Sequence, residues 1–368
     1  MDNNATTTLR DEVKKAMYEL PKLPYNPSSI HSYGREARKI IEEARVSILS
    51  SLGLEDDIDN YNVIFTSTGT EANNLVISNF IEDNIYISSI EHSSVYEPAS
   101  LGTNTVQIPV TEEGILKLEY LEDLISKTEG RKLVSVIFAN NETGVIQDIR
   151  TIAKLVHKYN GFLHIDAVQA LGKIKVNLKE LDADMVTVSA HKCGGPIGAA
   201  ALIAKKSVPL TSMMKGGGQE KGFRSGTENV ISIYGFGITA IKASQEIEKF
   251  EKIEILRNKM EQAIQYFAND AEIISKDVKR LNNTSMIIMP KVNSQMQIMA
   301  FDLAGIAVSA GSACSSGKTN TSHVLRSMGI PNEKADCAIR VSLSPDNTTE
   351  EIDYFVNEWK NLYQRIYT

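Results

Sequence analysis

The chain is poor in the residues that would place it outside a cell or in a membrane. Its 368 residues include only three cysteines, Cys193, Cys314 and Cys337. Their spacing matches neither a disulfide framework nor a zinc site, so no metal is expected and a reducing cytoplasm is the expected setting. No apolar run approaches the length that spans a bilayer. The opening segment, MDNNATTTLRDEV, lacks the apolar core of a signal peptide. An excess of positive charge is missing too: 39 Lys and Arg stand against 46 Asp and Glu, a formal net charge of −7, and the charges are dispersed. Neither nucleic acid nor an anionic membrane is therefore an expected partner. Repeats and low-complexity tracts are also lacking. What remains is 42% apolar and 23% charged, ample for a large core and a smaller one.

From about Asn62 to Ala204, short apolar runs alternate with helical patterns. NVIFT, NIYISS, LVSVIFAN, FLHID and MVTVSA read as buried strands rich in Val, Ile and Phe. IRTIAKLVHKYNG places Ile149, Ile152, Leu155, Val156 and Tyr159 on one helical face, and Asn160-Gly161 supplies a stop. Such alternation predicts an α/β fold, a mostly parallel sheet covered by helices. A long charged helical stretch, roughly Ala240 to Phe267, then leads into a second region. That region closes with a helix opened by the capping-box pair Thr348 and Glu351.

Ligands of open parallel sheets bind beyond the carboxyl ends of the strands. Polar clusters stand at those positions: Thr66–Glu71 after NVIFT, Glu91-His92 after NIYISS, Asn140-Asn141 after LVSVIFA, Asp166 ending FLHID, and Ser189–Lys192 ending MVTVS. One such cluster would mean little, whereas five predict a single site.

Taken one by one, each residue has an ordinary reading. A lysine past a strand commonly snorkels to solvent, an aspartate caps a helix, and a Gly-Thr turn caps another. Together they suit one chemistry. Lys192 can form a Schiff base, while Ser189 and His191 hold a phosphate. Gly69 and Thr70 offer backbone N–H groups and a hydroxyl to the same anion at a helix N-terminus. Pyridoxal phosphate requires a carboxylate opposite its pyridine nitrogen, which Asp166 can supply. Gln169 can reach the ring's phenolic oxygen, and His92 can stack on the ring and move protons.

The segments NPSSIHSYGREAR, FTSTGTEANN, EHSSV, NNETGVIQDI, HIDAVQALGK, SAHKCGGP, GGGQEKGFRSGTEN, SAGSACSSG and IRVSLSPDNTTEEID follow MDNNATTTLRDEV in order. In that arrangement the whole chain resembles the NifS/IscS-type cysteine desulfurases, fold-type I pyridoxal-phosphate homodimers of the class V aminotransferase family. The resemblance implies a large cofactor-binding domain, residues 15–250, and a small α+β domain, residues 1–14 and 251–368. It implies that Lys192 anchors the cofactor, that Thr70, Ser189 and His191 hold its phosphate, and that Thr227 helps from the second subunit. Asn141 and Arg340 would hold the substrate carboxylate, for which a guanidinium fork is well shaped.

Cys314, in a loop of Gly, Ser, Ala and Thr, would take sulfur from L-cysteine as a persulfide. Alanine would leave, and the sulfur would pass to an iron–sulfur scaffold or a thiolation acceptor. The long SACSSGKTNTSHVLR form resembles the subgroup with an extended loop. Cys193 and Cys337, beside apolar segments, are expected to be inert. Rival readings are a selenocysteine lyase, another fold-type I enzyme, or a non-catalytic scaffold homologue. Two departures from the family pattern stand out: Thr68 where Gly is usual in the phosphate turn, and Ile197 where Lys is usual.

Overall fold

The apolar runs form strands, and the helical patterns between them carry the chain back across the sheet. The computed structural model describes residues 1–20, 26–311 and 321–367. Its larger sheet comprises β1 (Tyr61–Thr66), β2 (Asn84–Ser88), β3 (Thr105–Ile108), β4 (Lys132–Ile137), β5 (Phe162–Asp166), β6 (Met185–Ser189) and β7 (Ala200–Lys205), in the order β1-β7-β6-β5-β4-β2-β3. Strands β6, β5, β4, β2 and β3 run parallel, whereas β7 lies antiparallel between β1 and β6. Every residue of β4 and β6 is buried, as strands covered on both faces must be. The five runs read from the sequence are β1, β2, β4, β5 and β6, to within three residues at their ends. Strands β3 and β7 were not visible in the sequence pattern.

The smaller sheet is antiparallel, in the order β10-β11-β9-β8, with β8 (Glu272–Ile274), β9 (Thr284–Ile288), β10 (Ser309–Ala310) and β11 (Ala338–Ser342). Met260, Ile264, Phe301, Phe355 and Trp359 form its own buried core, supplied by the helices Ile247–Phe267, Ser294–Leu303 and Thr349–Tyr367. The first residues join this sheet. Ser342 N–H donates to Met1 O, and Asn3 N–H to Ser342 O. The chain then passes the turn after β6, where Thr7 N–H donates to His191 O and Arg10 N–H to Gly194 O.

Local signals hold in detail. The helix Ile149–Lys158 buries Ile149, Ile152 and Val156, and Asn160 takes the left-handed stop at φ 55°. Thr348 and Glu351 cap reciprocally, at 3.0 and 3.3 Å. The charged stretch from Ala240 is not one helix. Val230–Gln245 and Ile247–Phe267 are separated by Glu246, at φ −110° and ψ 19°. Its carboxylate takes Arg10 at 2.6 Å, a contact available because the N-terminal segment crosses there.

Candidate active site

A cavity of about 400 Å³ opens beyond the carboxyl ends of β1, β4, β5 and β6. Gly69, Thr70, His92, Asn141, Asp166, Gln169, Ser189, His191, Lys192 and Arg340 all line it. Thr227, also expected there, lies instead with Arg224, Glu228 and Asn229 in a separate depression beside β1; Cys314 falls outside the described residues.

The turn between β1 and the helix Gly69–Ser78 brings Gly69 and Thr70 to the cavity at a helix N-terminus, where backbone N–H groups have no intrahelical acceptor. Thr68 is the cap. Its Oγ1 accepts from Glu71 N–H, and its backbone is extended at φ −150° and ψ 159°. Any residue adopts those angles, so Thr68 sits there without backbone strain. The other departure, Ile197, is exposed at the surface. A Cβ at Gly69 would come within 3.1 Å of Val168 Cγ2, so that side chain would have to shift by a few tenths of an ångström to admit one.

Across the cavity, Lys192 ends the short 3-10 turn that follows β6. Its Nζ donates to the carbonyls of Asn4 at 2.7 Å and Ala5 at 2.8 Å. Those carbonyls aim the amine into the cavity. Burial, with Lys192 close by, lowers the pKa of His191 to about 4. With no anion beside it, the ring is therefore neutral at pH 7. Asp166, at the buried end of β5, accepts from Asn73 Nδ2 at 2.8 Å and Val168 N–H at 3.0 Å. Gln169 Nε2 donates to Asn4 O at 2.9 Å, and its Oε1 takes Lys173 Nζ. Burial first, then the charges of Lys192 and Arg340, press Lys173 well below the ordinary lysine range.

Arg340, on β11 and buried, donates to Asp2 Oδ1 at 2.7 Å and to the Asn141 carbonyl at 3.1 Å. Its Nε–H is a buried donor with no acceptor among the described residues. A buried donor on a cation, lining a cavity, suits an incoming carboxylate.

Two of the polar clusters split between site and core. Asn141 lines the cavity, but Asn140 is buried, with Oδ1 accepting from the Glu142 and Thr143 amides. His92 lines it, but Glu91 points inward to Ser88 Oγ and Ile137 N–H. Burial holds that carboxyl well above the usual range. The sequence reading missed Asp2, Asn4, Asn73, Ser94 and Lys173. A signal existed for Asn73, one turn beyond Gly69 on the same helix; the others reach the site only through the fold.

The two described cysteines are buried and free. Cys193 Sγ lies 3.3 Å from Ala190 O, and burial pushes its thiol up to about 12; burial raises Cys337 as well. Neither is a thiolate at neutral pH. Cys193→Ala is expected to keep full alanine production and lose about 1 kcal/mol of stability, read by urea unfolding.

An amine, a carboxylate and a helix N-terminus placed around one cavity are the donor set that pyridoxal phosphate requires, and the residues present fit it. Fold and site thus define an α/β enzyme built for that cofactor. The chain belongs to the aminotransferase class-V family, which matches residues 1–355 and whose members use pyridoxal phosphate. It is 36% identical to cysteine desulfurase IscS of Dictyoglomus turgidum, across all of this chain and 95% of that one. Cysteine desulfurase NifS of Azotobacter vinelandii is 35% identical, over 97% of this chain and 90% of its own. The crystal structure of a NifS-like protein from Rickettsia africae superposes with a TM-score of 0.94 at 42% identity, covering 99% of this chain and 98% of that one.

Proposed function

We propose that this chain is a cysteine desulfurase, converting L-cysteine to L-alanine and handing the sulfur on from a persulfide at Cys314. The observation that carries the reading is the convergence of Lys192, Asp166, His92 and Arg340 on one cavity, in a chain similar over its full length to proteins of that name. Release of alanine from cysteine with no keto-acid acceptor present tests it, because a transaminase needs the acceptor.

Bound pyridoxal phosphate supplies an electron sink for the electrons left when a proton leaves the substrate Cα. The chain's residues do the rest. Lys192 anchors the cofactor and, once released, takes that proton at Nζ. Asp166 would pair with the ring nitrogen and keep it protonated, Gln169 would pair with the phenolic oxygen, and His92 would pack on the ring. Gly69, Thr70, Ser189 and His191 hold the phosphate. Arg340, with Asn141, receives the substrate carboxylate. Cys314 attacks the substrate sulfur as a thiolate, forming a sulfur–sulfur bond as the carbon–sulfur bond breaks.

The same reading divides the chain into a large unit, residues 15–250, and a small one, residues 1–14 with 251–368. The pairing of residues 1–3 with Ser342 supports that division. The sulfur is taken to pass to an iron–sulfur scaffold or another carrier, in a cytoplasm that keeps thiols reduced. No helix among the described residues is long and apolar enough to cross a membrane.

A homodimer completes the reading, because Thr227 stands apart from the cavity of its own chain and would serve the partner's phosphate. Thr227→Ala should weaken cofactor retention about tenfold, the size of one hydrogen bond to a charged group. Mixed dimers of Thr227→Ala and Lys192→Ala chains should retain cofactor as firmly as the wild type in one of their two sites, which holds an intact lysine and an intact threonine. Mixed dimers that form and retain cofactor no better than Thr227→Ala alone would exclude the shared site.

A further inference from the structure

We propose that Asn73 and Ser94 are positioning residues that hold His92 as the neutral tautomer with its proton on Nε2. The imidazole then meets an electron-rich group in the cavity as a hydrogen-bond donor, not as a base. The functional meaning rests on the site reading above, but the tautomer and its test do not.

The argument runs outward from Asp166. An ionised carboxylate only accepts, and Asp166 is bonded at Oδ1 by Val168 N–H and at Oδ2 by Asn73 Nδ2, 2.8 Å away. That contact settles which end of the Asn73 amide is nitrogen. The same Nδ2 lies 2.8 Å from Ser94 Oγ and donates to it. With one lone pair of Ser94 taken, its hydroxyl hydrogen is left for His92 Nδ1, also at 2.8 Å. A second donor points at that nitrogen: Ser94 N–H, at 3.1 Å, as His92 caps the helix Ser93–Ala99. A backbone N–H cannot reverse its role.

Nδ1 therefore faces two donors and must present its lone pair. A neutral imidazole so held carries its hydrogen on Nε2. Protonating Nδ1 would set its N–H against the Ser94 N–H and take from the serine hydroxyl hydrogen its acceptor. Asn73, Ser94 and Asp166 are each less than 7% exposed, so water does not compete for these bonds and each polarises the next. One hydrogen-bonded chain, Asp166–Asn73–Ser94–His92, thus joins the group assigned to the ring nitrogen to the group assigned to the ring face. A helix cap alone would need only the backbone contact. The hydroxyl, oriented by Asn73, is what makes the bond directional.

The test is nitrogen NMR of the full-length holoenzyme, labelled with 15N-histidine and observed near pH 7. The chain has six histidines, and His92 is assigned by the signals missing from His92→Gln. The wild-type His92 should show two widely separated nitrogens, with the bonded hydrogen on Nε2. In Ser94→Ala the two shifts should converge as the ring gains freedom and its tautomers exchange, and in Ser94→Thr, which keeps the hydroxyl, they should separate again. Hydrogen found on Nδ1 of the wild type overturns the proposal without any variant. So does a Ser94→Ala protein whose nitrogen shifts stay as far apart as the wild type's, or farther.

Discussion

Lys192→Ala is expected to abolish turnover, by on the order of a thousandfold or more, the scale of losing a positioned acid–base group, and to abolish the covalent hold on the cofactor as well. Both follow from one atom. Nζ is fixed by the Asn4 and Ala5 carbonyls at 2.7 and 2.8 Å within the cavity that Asp166, His92 and Arg340 share. No other lysine lines that cavity among the described residues; Lys173, one shell away, is occupied by Asn4 and Gln169. Borohydride reduction followed by peptide mapping should place the cofactor on Lys192 in the wild type and nowhere in the variant. A reducible link that survives in Lys192→Ala would show that the anchor is elsewhere.

Cys314→Ala should separate the two halves of the chemistry. The variant should retain its cofactor absorbance and still change spectrum when cysteine is added, because neither needs the thiol. Sulfide and alanine release should fall on the order of a hundredfold or more, as when a covalent nucleophile is removed. Normal rates in the variant would exclude Cys314 as the acceptor. The buried, high-pKa thiols of Cys193 and Cys337 make them poor substitutes.

The sheet was legible where strands were buried on both faces and rich in Val and Ile, as in β4 and β6. It was not legible in β7, Ala-Ala-Leu-Ile-Ala-Lys, whose alanines favour a helix on their own. Its antiparallel place between β1 and β6, fully buried save for Lys205, overrides that preference. Strand β3 was hidden for the opposite reason, being a short edge strand with a mostly half-exposed pattern.

The same division runs through the site. Residues at strand ends could be read locally, because the parallel topology brings such ends together whatever lies between them. Groups that act through another residue could not. Asp2 reaches Arg340 across 338 positions, and Asn4 reaches Lys173 across 169; no local pattern encodes either. Ser94 stands two residues from His92, but its role depends on Asn73, brought in by a different helix.

Mass spectrometry of the wild type, taken after brief exposure to L-cysteine and without reductant, tests the central claim most directly. One added sulfur atom should appear on the peptide that contains Cys314, and Lys192→Ala should show none. Sulfur found instead on Cys193 or Cys337, or alanine released in quantity while Cys314 stays unmodified, would contradict it.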